Sequence, residues 1–253
     1  MAVATHRISR KAPRTPAAPF GVAGGRTGGC TLLVMARQPV LGRVKTRLGA
    51  QIGGVEATRF YRNAVRTVVG RLRRDPRWCT VLAVAPDRAV NAACWVTLVG
   101  PGRLALVSQG RGDLGDRMQR LLAMPRAGPV ILVGTDIPSI GPAHVAQALR
   151  LLHDHDAVLG PAEDGGFWLV GLKHGLKHGL GLPRRPFAGV RWSTPETLAE
   201  TCDSLAGARI AFAATLSDVD TQADHARLGP VAARLIPPAT VLPRMPATSA
   251  TQP

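Results

Sequence analysis

Aromatic residues are scarce in this sequence: five Phe, four Trp and one Tyr in 253 residues. So few rings argue against a protein built on stacking platforms for single-stranded nucleic acid. No run of 18 or more apolar residues occurs, which excludes a membrane-spanning helix. The four cysteines (Cys30, Cys79, Cys94, Cys202) form no Cys-x-x-Cys pair. That argues against a zinc knuckle or a thioredoxin-like motif. Cys79 opens an apolar run, where a buried, inert thiol is expected. Basic residues near the N-terminus have no apolar stretch behind them, so no secretory signal is read and a cytoplasmic, reducing setting is expected.

Acids are missing altogether before Glu56. The formal net charge is +16, and it is polarised along the chain. Residues 1–77 carry 16 Lys/Arg against two acids, whereas residues 78–253 carry 16 against 14. A basic excess of this size first suggests a nucleic-acid binder, but no binding-motif signature accompanies it. Apolar residues make up 45%, enough for a sizeable core.

Residues 1–29 are basic, Pro/Gly-rich and aperiodic, and 237–253 are Pro/Thr/Ala-rich. Both read as flexible tails around one domain at 30–236. Within it, short apolar runs read as buried strands: 31–36, 80–85, 104–108, 130–134, 157–160, 167–171 and 209–213. Helical periodicity falls between them, at 55–72, 114–124, 142–153, 194–206 and 221–235. Thr194-Pro195 reads as a cap followed by Pro at the first helical position. Alternating strands and helices predict an α/β fold around a mostly parallel sheet.

Four segments can carry chemistry. After the first strand come Arg37, Gly42, Arg43, Lys45 and Arg47, with no acid among them. Open α/β sheets bind ligands at this edge, and these cations can hold phosphate oxygens or form a solvated loop. The segment is not a Walker A loop, because Val44 precedes Lys45. Asp136 follows the fourth strand with no Lys or Arg within nine positions, suiting either a Mg²⁺–phosphate site or a turn. Asp164-Gly165-Gly166 joins two strands, and Phe167 and Trp168 open the second, so that one ring can face a sugar or base. Asp218 and Asp220 share one side of an extended segment, as a metal-facing pair or as part of a helix cap at Asp220 or Thr221.

Six segments occur in a recognisable order. They are Ala36-Arg37-Gln38-Pro39 with 42–48, Gln109-Gly110 with 112–115, 134–138, 160–166, 192–195 and 218–221. Together they resemble the rSAM/selenodomain-associated transferase family, glycosyltransferase-like members of the nucleotide-diphospho-sugar transferase (GT-A-like) superfamily. Molybdenum-cofactor and phospholactate guanylyltransferases are relatives. Ile137 stands where many members have Cys, and Phe167 and Trp168 where tyrosines are usual. The resemblance implies a single three-layer α/β/α sandwich with a mixed sheet. It implies an enzyme that takes a nucleotide-activated donor and a small-molecule acceptor, with Mg²⁺ or Mn²⁺ as cofactor. Arg37, Gly42, Arg43, Lys45 and Arg47 would hold phosphate, and Asp136 the metal, with Asp218 or Asp220 as second ligand. Asp164 would act on the acceptor beside Gly165, Gly166 and Trp168. The expected reaction is glycosyl transfer from a nucleotide sugar. Nucleotidyl transfer with pyrophosphate release is the alternative, and a basic nucleic-acid-binding protein a further one.

Overall fold

In this computed structural model the described residues are 29–100, 104–125, 128–174, 183 and 185–228. The two expected tails, apart from Gly29, lie outside them, as does the expected last helix beyond Leu228.

Seven strands form one sheet: β1 (Cys30–Arg37), β2 (Trp78–Ala85), β3 (Ala105–Ser108), β4 (Val130–Val133), β5 (Ala157–Pro161), β6 (Phe167–Leu172) and β7 (Ile210–Phe212). Their order is β3-β2-β1-β4-β6-β5-β7. Only β6 runs against its neighbours β4 and β5; every other pairing is parallel. The helices are α1 (Thr46–Ile52), α2 (Gly54–Leu72), α3 (Cys94–Val99), α4 (Leu114–Leu122), α5 (Pro142–Leu151), α6 (Thr197–Ser204) and α7 (Gln222–Arg227).

Side chains of successive strand residues point to opposite faces, so each strand feeds two cores. Leu32, Val34, Leu82, Val84, Ile131 and Val133 pack against α2, α3 and α5. Leu33, Val81, Ala83, Val130 and Leu132 pack against α4, the 187–190 turn and α6. Burial on both faces explains why the strands read as continuous apolar runs. The result is a three-layer α/β/α sandwich of the GT-A type.

Three expectations need correction. Thr194-Pro195 does not start α6, which begins at Thr197. The Thr197 Oγ1 instead accepts the Thr194 N–H and donates to the Arg191 carbonyl, closing a turn ahead of the helix. The short α1 and α3 were not expected from periodicity. Cys79 is exposed, not buried. Among the described residues β3 pairs with β2 from Val81 onward. Burial pushes the Cys30 thiol up to about 12. A maleimide should therefore label Cys79 in the native protein and reach Cys30 only after denaturation, read by peptide mass spectrometry.

The topology decides where chemistry can sit. Strands β1, β2, β3, β4, β5 and β7 all point their C-terminal ends to one edge, and β6 begins there. The loops carrying residues 37–45, 109–113, 134–140, 162–166 and 213–220 therefore converge.

Candidate functional site

A cavity of about 640 Å³ opens at that edge. The loop after β1 enters it through Lys45, whose backbone is left-handed at φ +47°. A non-glycine residue in that region costs roughly 1–2 kcal/mol, so the surrounding contacts must hold it there. They do. The Lys45 side chain is only 5% exposed, and its ammonium lies 2.8 Å from Asp136 Oδ1 and 2.7 Å from Asp220 Oδ1. Burial by itself would lower its pKa; the Asp136 and Asp220 carboxylates outweigh that and hold it above the usual lysine value. Arg47 is exposed and approaches Asp220 Oδ2 at 3.9 Å. Arg37 lines the cavity, whereas Gly42 and Arg43 sit on an exposed turn away from its wall.

The acids reach the cavity by local geometry. Asp136 follows β4, anchored by the buried Thr135, whose hydroxyl donates to the Met35 carbonyl. Its own carbonyl accepts the Val219 N–H at 3.3 Å. Val219 is buried and packs with Leu48, Ala57 and Phe60, and the alternation of an extended chain turns Asp218 and Asp220 the other way, onto the cavity wall. Thr221, not Asp220, caps α7: its hydroxyl accepts the Asp224 N–H, and Asp224 accepts the Thr221 N–H. Asp220 is thus left for Lys45. The Asp218 carboxyl is pushed up to about 6, first by burial, then by Asp220, Asp164 and Asp136, with Lys45 opposing. One ammonium does not cancel four converging acids.

Across the cavity, Asp164 Oδ1 accepts the Gly166 N–H at 3.0 Å, leaving its other oxygen open. Asp164 and Gly166 line the wall; Gly165 does not. Gly165 has φ +85°, and a Cβ there would lie 2.2 Å from the Pro195 carbonyl oxygen. Trp168 is buried and donates its indole N–H to the Ala214 carbonyl, so only part of its ring reaches the wall. Phe167 meets Trp192 edge to face at 6.3 Å. Among the described residues the buried Trp192 indole nitrogen meets no acceptor.

Sequence reading noted Gln109 only as part of a motif and gave no role to Tyr61. Gln109 is buried after β3, and its amide donates to the Ala36 and Ala83 carbonyls, fixing the ends of β1 and β2. Tyr61, the one tyrosine, lies on the apolar face of α2. Its hydroxyl accepts the Arg37 N–H at 2.7 Å and donates to the Arg37 carbonyl. Burial pushes that hydroxyl up to about 12. A polar atom on a buried helical face was the available signal. Tyr61→Phe leaves the Arg37 backbone unpaired and should cost about 1–3 kcal/mol, read as a lower urea midpoint at unchanged slope.

Could this site hold a divalent cation? Among the described residues no three His, Cys, Asp or Glu side chains form a group ready to hold one. The donors are carboxylate oxygens only, the chemistry of Mg²⁺ or Mn²⁺, which bind through one or two carboxylates plus substrate phosphates. Asp136, Asp218 and Asp220 fit that pattern, with an excess of negative charge around Asp218.

No curated protein matches the chain. The family described as an uncharacterized protein conserved in bacteria (DUF2064) matches residues 68–194, half the chain. A Desulfovibrio desulfuricans G20 protein, provisionally named a nucleotide-diphospho-sugar transferase, is 28% identical with a TM-score of 0.69. That match covers 77% of this chain and 83% of the other. The Mycobacterium sp. strain JC1 homolog of Mycobacterium tuberculosis Rv0371c is 18% identical with a TM-score of 0.50. It covers 82% of this chain and 98% of the other, a likeness of fold.

Proposed function

The chain belongs to that DUF2064 family, and we propose that it is a transferase that takes a group from a nucleotide-activated donor, as a divalent-cation-dependent glycosyltransferase. Within the family we place it with the rSAM/selenodomain-associated transferases, on the six ordered motifs. The observation that carries the reading is the meeting of Lys45 with Asp136 and Asp220 at the C-terminal edge of the sheet. Cations from the first loop and acids from distant loops converge there, as a phosphate-bearing donor requires. The likeness to the Desulfovibrio protein supports the donor class.

In this mechanism Arg37 and Arg47 offer guanidinium groups to the donor's phosphates, and Lys45 adds an ammonium. Asp136, with Asp218 and Asp220, would hold Mg²⁺ or Mn²⁺, which supplies charge neutralisation at the leaving phosphate. Asp164 accepts the acceptor's hydroxyl proton on its open oxygen. The acceptor oxygen bonds to the anomeric carbon, the carbon–oxygen bond to phosphate breaks, and a nucleoside diphosphate leaves. Phe167 and Trp192 form an apolar wall beside this point.

The same residues can serve nucleotidyl transfer, which the Lys45-Thr46-Arg47-Leu48 segment after Gly42 favours by its resemblance to guanylyltransferases. There an acceptor phosphate attacks the α-phosphorus and pyrophosphate leaves. A thermal-shift panel of nucleotides, nucleotide sugars and divalent metals identifies the donor, because ligands of the folded state raise its midpoint by mass action. Labelled donor then decides: label passing from sugar nucleotide to acceptor supports glycosyl transfer, and pyrophosphate release without sugar transfer overturns it.

A further inference from the structure

Lys45 occupies the point at which the metal-holding acids converge. Its ammonium is within 2.8 Å of Asp136 Oδ1 and 2.7 Å of Asp220 Oδ1 at once. A hard divalent cation held by both acids would draw their oxygens in to about 2.0–2.6 Å and bring its charge up against the ammonium on the same two carboxylates. The two cations therefore compete for these acids.

Two further facts bear on which one holds the acids at a given time. Among the described residues only Lys45 and Ser193 are non-glycines with positive φ, and both lie on the cavity wall. Backbone held off its preferred basins clusters at binding and catalytic sites. Lysine also carries its charge on a four-carbon stem whose rotations can re-aim the ammonium at a new partner. The cavity beside it admits a phosphate.

We propose that Lys45 is an internal counter-ion that keeps divalent metal off Asp136 and Asp220 until a donor phosphate draws its ammonium away, so that metal and nucleotide enter together. The inference rests on the donor and metal reading above and adds an order of binding to it. Without ligand Lys45 holds two acids in place, and with ligand it turns to the donor's phosphate.

Titration of the whole protein with Mn²⁺, followed by calorimetry, tests this without an activity assay. It is run alone and with each of ADP, CDP, GDP and UDP. Wild type should bind Mn²⁺ at least about tenfold tighter with an accepted diphosphate than without, a coupling of about 1.4 kcal/mol. Lys45→Met should bind Mn²⁺ alone at least about tenfold tighter than wild type does. Lys45→Gln is the second variant should Lys45→Met fail to fold. Tight Mn²⁺ binding by wild type alone, or no gain in either folded variant, overturns the exclusion while the metal reading stands. No Mn²⁺ uptake by any form under any condition overturns the metal reading and this proposal with it.

Discussion

Asp136→Asn should cut turnover of the accepted donor by about 10²–10³-fold, the size of loss seen when one group that stabilises developing charge is removed, here through the metal that Asp136 would hold. The fold should survive. The Asp136 side chain is 57% exposed, and an exposed partner contributes little to stability. Lys45 also keeps Asp220, so its buried ammonium is not orphaned. The amide matches the carboxylate in shape, leaving the Val219 N–H bond to the Asp136 carbonyl undisturbed. The check is kcat with saturating donor, alongside circular dichroism and a melting curve. Wild-type turnover in the variant would remove Asp136 from the mechanism. Asp218→Asn provides a contrast. Its carboxyl already has a raised pKa, so the substitution relieves crowding and should not lower the melting midpoint.

The strands were readable because both of their faces are buried. Leu32 and Leu33 each pack into a core, one on either side of the sheet, so the run is apolar throughout. The long α2 was readable from its apolar stripe. The short α1 and α3 carry too few turns to show a period, and α1 has Gly49 within it. Cys79 misled because an apolar run in the sequence does not say which of its residues the fold leaves exposed. In the site, Asp136 could be placed at the sheet edge from its position after a strand. The partnership could not. Lys45 and Asp220 are 175 residues apart, and nothing local to either marks the other. The sequence pattern suggested cations for phosphate and acids for metal as separate sets. Folding joins them, because the Val219 anchor under α1 and α2 delivers Asp220 to the start of α1. The basic excess likewise has to be read by position: Lys45 is buried on two acids, while Arg43 is exposed on a turn.

Gly165→Val should lower the melting midpoint more than any other single substitution considered. Two costs combine. Gly165 has φ +85°, where an L-residue with a β-branched side chain pays roughly 1–2 kcal/mol. Its Cβ would also lie 2.2 Å from the Pro195 oxygen, 2.6 Å from its Cα and 2.7 Å from its carbonyl carbon. These are backbone atoms, which cannot yield by rotating a side chain, and overpacking of this kind costs about 1–3 kcal/mol. In a chain of this size each kcal/mol lowers the midpoint by about 2–4 °C. Gly207→Val separates the two costs. Gly207 has φ +91° but nothing within 4 Å of its Cβ position, so it pays the backbone cost alone. A loss at Gly165 no larger than at Gly207 would mean that the approach of Pro195 does not constrain the fold. The same contact bears on activity. The Gly165 carbonyl accepts the Leu198 N–H at 2.9 Å, tying the Asp164 turn to the start of α6. Ser193, Thr194 and Thr197 line the cavity on one side of that tie and Asp164 on the other. Pushing Pro195 away moves the open Asp164 oxygen relative to the acceptor, so kcat should fall in the folded fraction of Gly165→Val and stay near wild type in Gly207→Val.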